Sequence, residues 1–210
     1  DRGKENAAQS STGILRRGHK MLLSGPSKAG KSFAMIQLAC AVSSGGAWFG
    51  HDCATGRVLY INLEIDRASF LRRLQDVAER IPAKLDSIDT WSLRGHAMEL
   101  NALTLRLVKR IQHEAYTLII VDPIYKTLTG DENSARDMAA FCNWLDVIAK
   151  HAAAAVAFSS HFSKGVQGHK SSIDRTSGSG VFGRDPDAIG TLTEMDLRGQ
   201  DDVSGYWLEW

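Results

Sequence analysis

Gly25-Pro-Ser-Lys-Ala-Gly-Lys-Ser32 fits the pattern G-x-x-x-x-G-K-[ST] at every fixed position. Before it, residues 20–24 form a short apolar run. After it, Phe33, Ile36, Leu38, Ala39 and Val42 recur at helical spacing across residues 31–44. The stretch therefore reads as a strand, a glycine-rich turn and a helix. In that setting Gly25, Pro26, Ser27, Lys28, Ala29, Gly30, Lys31, Ser32 and Phe33 surround a phosphate chain, and backbone N–H groups of the loop and the helix N-terminus point at its oxygens. Lys31 neutralises the β and γ phosphates, and Ser32 offers its hydroxyl to Mg²⁺. The competing reading is an ordinary glycine turn, which the flanking strand and helix disfavour.

Outward from this loop, strands and helices alternate. Residues 57–63 read as a strand, 66–80 as a helix closed by Pro82, and 88–93 as a short strand. Residues 100–114 read as an amphipathic helix and 117–122 as a fully apolar strand. A helix over 134–150 follows, with Ser134 and Asp137 at capping-box spacing, and then a buried strand over 153–160. Such alternation predicts an α/β fold, a mainly parallel twisted sheet covered on both faces in three α-β-α layers. Trp48, Phe49 and Gly50 are read as a loop. Residues 187–192 and 205–210 are read as strands at the sheet edge. Residues 163–180, rich in Gly, Ser and Lys, carry no periodicity and read as a functional or disordered stretch.

With 210 residues, 43% of them hydrophobic and 23% charged, the chain suits one α/β domain with a core of normal size. Residues 1–13 read as a flexible leader and 14–210 as a single domain. The abrupt stop after residues 205–210 suggests that the natural chain continues. A net charge of +1 means that any nucleic-acid contact must come from a local patch. Cys40, Cys53 and Cys142 include no CxxC pair, which argues for a reducing compartment and against disulfides or zinc. Cys40 and Cys142 are expected on buried helix faces. No signal peptide and no apolar run of membrane length is present, so the expectation is a cytoplasmic protein without a membrane contact.

Hydrolysis needs more than a phosphate loop, because kinases and transferases also carry one. Leu118-Ile-Ile-Val-Asp122 ends a buried strand on a carboxylate suited to hold Mg²⁺ through its water shell; a turn-capping Asp is the bland alternative. Glu64 ends the strand Val58-Leu-Tyr-Ile-Asn-Leu63. In a parallel sheet all C-terminal strand ends lie on one edge, where ligands bind. Lys31, Glu64, Asp122 and His161 are thus expected to converge. Glu64 is placed to orient water towards the γ phosphate, against a plain surface carboxylate. His161, after Ser159 and Ser160, is placed to sense that phosphate, against a satisfied structural histidine.

These blocks together resemble the RecA-type P-loop ATPases, in particular the AAA-family branch typified by the RepA hexameric helicase of mobilisable plasmids. The resemblance covers residues 15–195. It rests on the phosphate loop, on Trp48-Phe-Gly50 leading to Gly56-Arg-Val-Leu-Tyr-Ile-Asn-Leu-Glu64, and on Val121-Asp-Pro-Ile124 with Gly130-Asp-Glu-Asn-Ser134. It also rests on Ser160-His-Phe-Ser-Lys-Gly165, Gly178-Ser-Gly-Val-Phe182 and Arg184-Asp-Pro-Asp-Ala188. It implies a RecA-like core, ATP and Mg²⁺ as ligands, and a homo-oligomeric ring, hexameric in the type member, with ATP between neighbours. It implies Glu64 as catalytic base and His161 as sensor. It also implies a basic residue acting from the next subunit, for which Lys164, Arg175 and Arg184 are candidates. Relatives usually continue with further strands and a basic pair that this chain lacks.

By the same resemblance, residues 124–133 and 163–177 face the ring channel and touch single-stranded DNA. Lys164, His169, Lys170 and Arg175 supply charge for phosphates, although Phe162 is the only nearby aromatic for base stacking. A solvated loop is the alternative. The leading expectation is an ATP-driven helicase or translocase in replication of a plasmid, phage or mobile element. A regulatory or recombination ATPase of the same fold is the rival. A small-molecule kinase is disfavoured, because Glu64 offers a water-activating group and no arginine-rich lid is evident.

Overall fold

The computed structural model describes residues 13–95, 100–111, 113–124, 135–161, 181, 183–195 and 205–210. In chain order, β1 (Lys20–Gly25) leads to α1 (Lys31–Ser44), and a small hairpin of β2 (Ala47–Trp48) and β3 (His51–Asp52) follows. Next come β4 (Arg57–Asn62), α2 (Arg67–Ala78), a single 3-10 turn at Leu85–Ser87 and β5 (Ile88–Ser92). The remaining elements are α3 (Leu100–Ile111), β6 (Tyr116–Asp122), α4 (Ala135–Ala152), β7 (Ala155–His161), β8 (Ala188–Met195) and β9 (Gly205–Glu209).

Seven strands form one sheet in the order β5-β4-β6-β7-β1-β8-β9. All pairings are parallel except β8 with β9. Every residue of β1 and β6 is buried, which is why these strands read as continuous rather than alternating apolar runs. Successive side chains still leave on opposite faces. Leu23, Tyr60 and Ile120 enter a core beneath α1 and α2, with Met35, Ile36, Phe70 and Leu74. Leu22, Ile119 and Phe158 enter a second core beneath α4 and α3, with Leu107, Phe141 and Leu145. Each such side chain contributes about 1.5–3 kcal/mol by leaving water. The result is the expected three-layer α-β-α architecture of a P-loop NTPase core.

Local chemistry sets the helix ends. Asp66 caps α2, its carboxylate accepting from the N–H groups of Ala68 at 3.0 Å and Ser69 at 3.1 Å. Phe70, Leu74 and Val77 then fall on its buried face. Helix α1 stops at Gly45, whose φ of 78° only glycine adopts freely, and whose N–H donates to Ala41 O at 2.8 Å.

The structure corrects three sequence expectations. Trp48 and Phe49 do not sit in a plain loop: β2 and β3 pair across them. Trp48 is buried, and its indole N–H donates to Ala34 O in the first turn of α1 at 2.9 Å, which fixes the hairpin against the helix. Residues 187–192 are not an edge strand. β8 pairs with β1 on one side and β9 on the other, so only β9 is at the edge. The strand expected over 153–160 starts later than its apolar run suggests. Ala152 ends α4, Ala153 turns the chain at a φ of 46°, and β7 starts at Ala155. The Ser134 capping expectation lies outside the described residues. All three cysteines are buried and unpaired. Burial pushes the thiols of Cys40 and Cys53 up to about 11 and that of Cys142 up to about 12, so none is a ready nucleophile.

Candidate active site

Four strand ends build the site at one edge of the sheet. Gly25, the last residue of β1, stands in register with His161, the last of β7. Asn62 at the end of β4 stands opposite Asp122 at the end of β6. Leu63 N–H then donates to Asp122 O at 3.0 Å, which delivers Glu64 one residue further on. The strands place Lys31, Glu64, Asp122 and His161 around one cavity of about 650 Å³, together with Ser27 to Phe33 of the loop.

The loop turns on two left-handed residues, Lys28 at a φ of 64° and Gly30 at 75°. Alternation of hand makes successive N–H groups point inward, the geometry of an anion-binding nest. A side chain at Gly30 meets no atom, but its φ alone disfavours one. Helix α1 starts immediately after, so its unpaired N–H groups and dipole face the same space.

Lys31 is 6% exposed. Its ammonium donates to Gly25 O at 2.9 Å and Pro26 O at 2.6 Å, and lies 3.3 Å from His161 Nδ1. An ammonium only donates, so in this contact Nδ1 is the accepting atom. Burial lowers the Lys31 pKa to about 8, against the opposing pull of the Asp122 and Glu64 charges.

Asp122 is buried. Tyr60 donates to its Oδ2 at 2.6 Å, and Ser159 donates to its Oδ1 in a short bond. Burial first, and the Asp122 charge second, hold the Tyr60 phenol well above its ordinary pKa, so it remains a donor. Glu64 is exposed to the cavity. The turn beneath it is tied by Asn62: its Oδ1 accepts from Ile65 N–H at 3.0 Å, and its Nδ2 donates to Ile65 O at 2.6 Å.

Sequence reading missed Tyr60, Asn62 and Ser159, which act from inside apolar strands. It also missed two cavity arginines. Arg73, from α2, lies over the Phe33 ring, 5.2 Å from its centroid, and Arg94 follows β5. The proposed basic residues fare differently. Lys164, Lys170 and Arg175 lie outside the described residues, as do segments 125–133 and 163–177. Arg184 is exposed. Its neighbour Asp185 pairs with Lys20 at the first residue of β1, so Arg184 stands at the opposite edge of the sheet from the cavity.

Comparison with curated proteins finds no match. The family model of the AAA domain matches residues 6–167, which include the phosphate loop and all four converging side chains. The chain belongs to this AAA-domain family of P-loop ATPases.

Proposed function

We propose that the protein hydrolyses ATP with Mg²⁺, and that Glu64 is the base. The observation that carries this reading is the meeting of Lys31, Glu64, Asp122 and His161 in a single cavity at the mouth of the phosphate loop. Among the described residues no group of three or more His, Cys, Asp or Glu side chains is arranged to hold a metal by itself. Mg²⁺ typically binds through one or two protein oxygens together with substrate phosphates. Ser32, half-buried at the head of α1, and Asp122, fixed by two O–H donors, are the residues for it. Bound there, the ion neutralises negative charge on the β and γ phosphates.

The protein's own groups do the rest. Loop N–H groups hold the phosphate chain. Lys31 turns its ammonium from the two carbonyls towards the β and γ oxygens. Glu64 takes a proton from a water whose oxygen forms the new bond to the γ phosphorus. The bond to the β–γ bridging oxygen breaks, and its electron pair leaves with ADP. His161 touches Lys31, so loss of the γ phosphate is felt at the end of β7. A carboxylate in the position of Glu64 favours water over a small-molecule hydroxyl as acceptor.

The work driven is proposed to be movement on single-stranded DNA by a ring of identical subunits, in replication of a mobile element. Lys164, Lys170 and Arg175 within residues 163–177 and the family resemblance support it. Turnover measured with and without single-stranded DNA at low salt, together with sizing, tests this reading. Hydrolysis absent in Lys31→Ala, stimulated by DNA in the wild type, and carried by a ring supports the motor. Hydrolysis without stimulation and without a ring removes the motor and leaves a regulatory ATPase.

A further inference from the structure

The cavity does not end at Glu64; it runs on to the outermost parallel strand. β5 pairs with β4 so that Ser92 stands opposite Asn62, and Leu93 N–H donates to Asn62 O at 2.8 Å. Glu64 and Arg94 are each two residues beyond that pair. Neighbouring strands lie about 4.8 Å apart, so the chain leaves Asn62 and Ser92 from neighbouring strand ends. Glu64 and Arg94 both line the cavity.

Of the other cavity cations, Lys28 is exposed on the phosphate loop itself. Lys31 is held by loop carbonyls, and Arg73 lies over Phe33. Arg94 is exposed, and among the described residues no hydrogen bond or salt bridge fixes its guanidinium. Its charge is felt by Asp66, whose carboxyl is held below its ordinary value by the Ser69 hydrogen bonds first and by Arg94 last. Asp66 is already committed to the N-terminus of α2. Arg94 thus shares one cavity with Glu64, the carboxylate proposed to activate water.

We infer that Arg94 acts within its own subunit as the cation that meets the γ-phosphate end of a nucleoside triphosphate. The inference rests on the ATPase reading above. A planar guanidinium donates two parallel bonds to phosphate oxygens. Placed on the equatorial oxygens of the γ phosphorus, it offsets the charge that spreads there as the bridging bond breaks. Glu64 and Arg94 then divide the reaction: the carboxylate takes the proton of the attacking water and the guanidinium holds the transferred group. Such a residue serves in addition to any cation from a neighbouring subunit.

The test compares wild type, Arg94→Ala and Arg94→Lys in ATP affinity, ADP affinity and turnover, with Lys31→Ala as the blank. The position is exposed, so the variants are expected to fold; their melting temperatures check this. Arg94→Ala is expected to keep ADP affinity within about twofold, lose ATP affinity about tenfold, and lose turnover about 100-fold. Arg94→Lys is expected to regain ATP affinity but only part of the turnover, because an ammonium lacks the planar fork. Equal losses of ATP and ADP affinity put Arg94 at another part of the nucleotide and overturn the assignment. Turnover and ATP affinity within twofold of a wild type that hydrolyses ATP overturn it while leaving the ATPase reading standing. No hydrolysis by the wild type overturns both.

Discussion

Lys31 is a buried ammonium whose nearest oxygens are neutral carbonyls, and that makes its proton labile. Its pKa stands at about 8 because burial outweighs the attraction of Asp122 and Glu64. A polyphosphate brought against it reverses the balance and raises the value again. ATP binding between about pH 8 and 9 should therefore take up a sizeable fraction of a proton. Calorimetry in two buffers of different ionisation heat reads this directly. Lys31→Arg, which stays charged, should abolish the uptake, and a wild type that takes up no proton speaks against the electrostatic account of the site. The same shift has a consequence for stability. The unfolded chain keeps this proton to its ordinary value of 10.5, whereas the folded chain releases it near 8. The unfolded state then binds more protons in that window, so the Lys31 contribution to stability rises as pH climbs through it.

Close approach between neighbouring elements decides what each strand tolerates. Gly56 leads into β4, and its N–H donates to Val42 O at 2.9 Å. A Cβ added there would stand 1.8 Å from Thr117 Oγ1 on β6. Gly56→Ala should therefore force β4 and β6 apart and lower stability by about 1–3 kcal/mol, measured by urea unfolding; an unchanged midpoint would show that the backbone around Gly56 and Thr117 gives way freely. At this scale the sequence was most readable where apolar runs end on polar residues. Asp122, Glu64 and His161 each follow such a run, and a parallel sheet sends all such ends to one edge. Tyr60, Asn62 and Ser159 were invisible because their roles depend on register between strands far apart in sequence. Arg73 and Arg94 were hidden for a related reason: the face a helix presents and the strand beside β4 are set by packing. The boundary between α4 and β7 was hidden because Ala152, Ala153 and Ala154 suit helix, turn or strand alike, with no glycine to mark the turn.

For the whole molecule, the sheet order puts the phosphate loop, the Asp122 strand and the Glu64 strand on the same edge, and leaves Arg184 on the opposite one. Lys31, Glu64, Asp122 and His161 are thus gathered by one sheet into a single cavity. No helix among the described residues is long and apolar enough to cross a membrane. The central claim is that this edge binds ATP and that Glu64 activates water there. Single-turnover hydrolysis and ATP affinity of Glu64→Gln, measured beside wild type, test it most directly. ATP affinity within about threefold of wild type and hydrolysis slowed about 100-fold or more are expected; hydrolysis at the wild-type rate would contradict the role of Glu64.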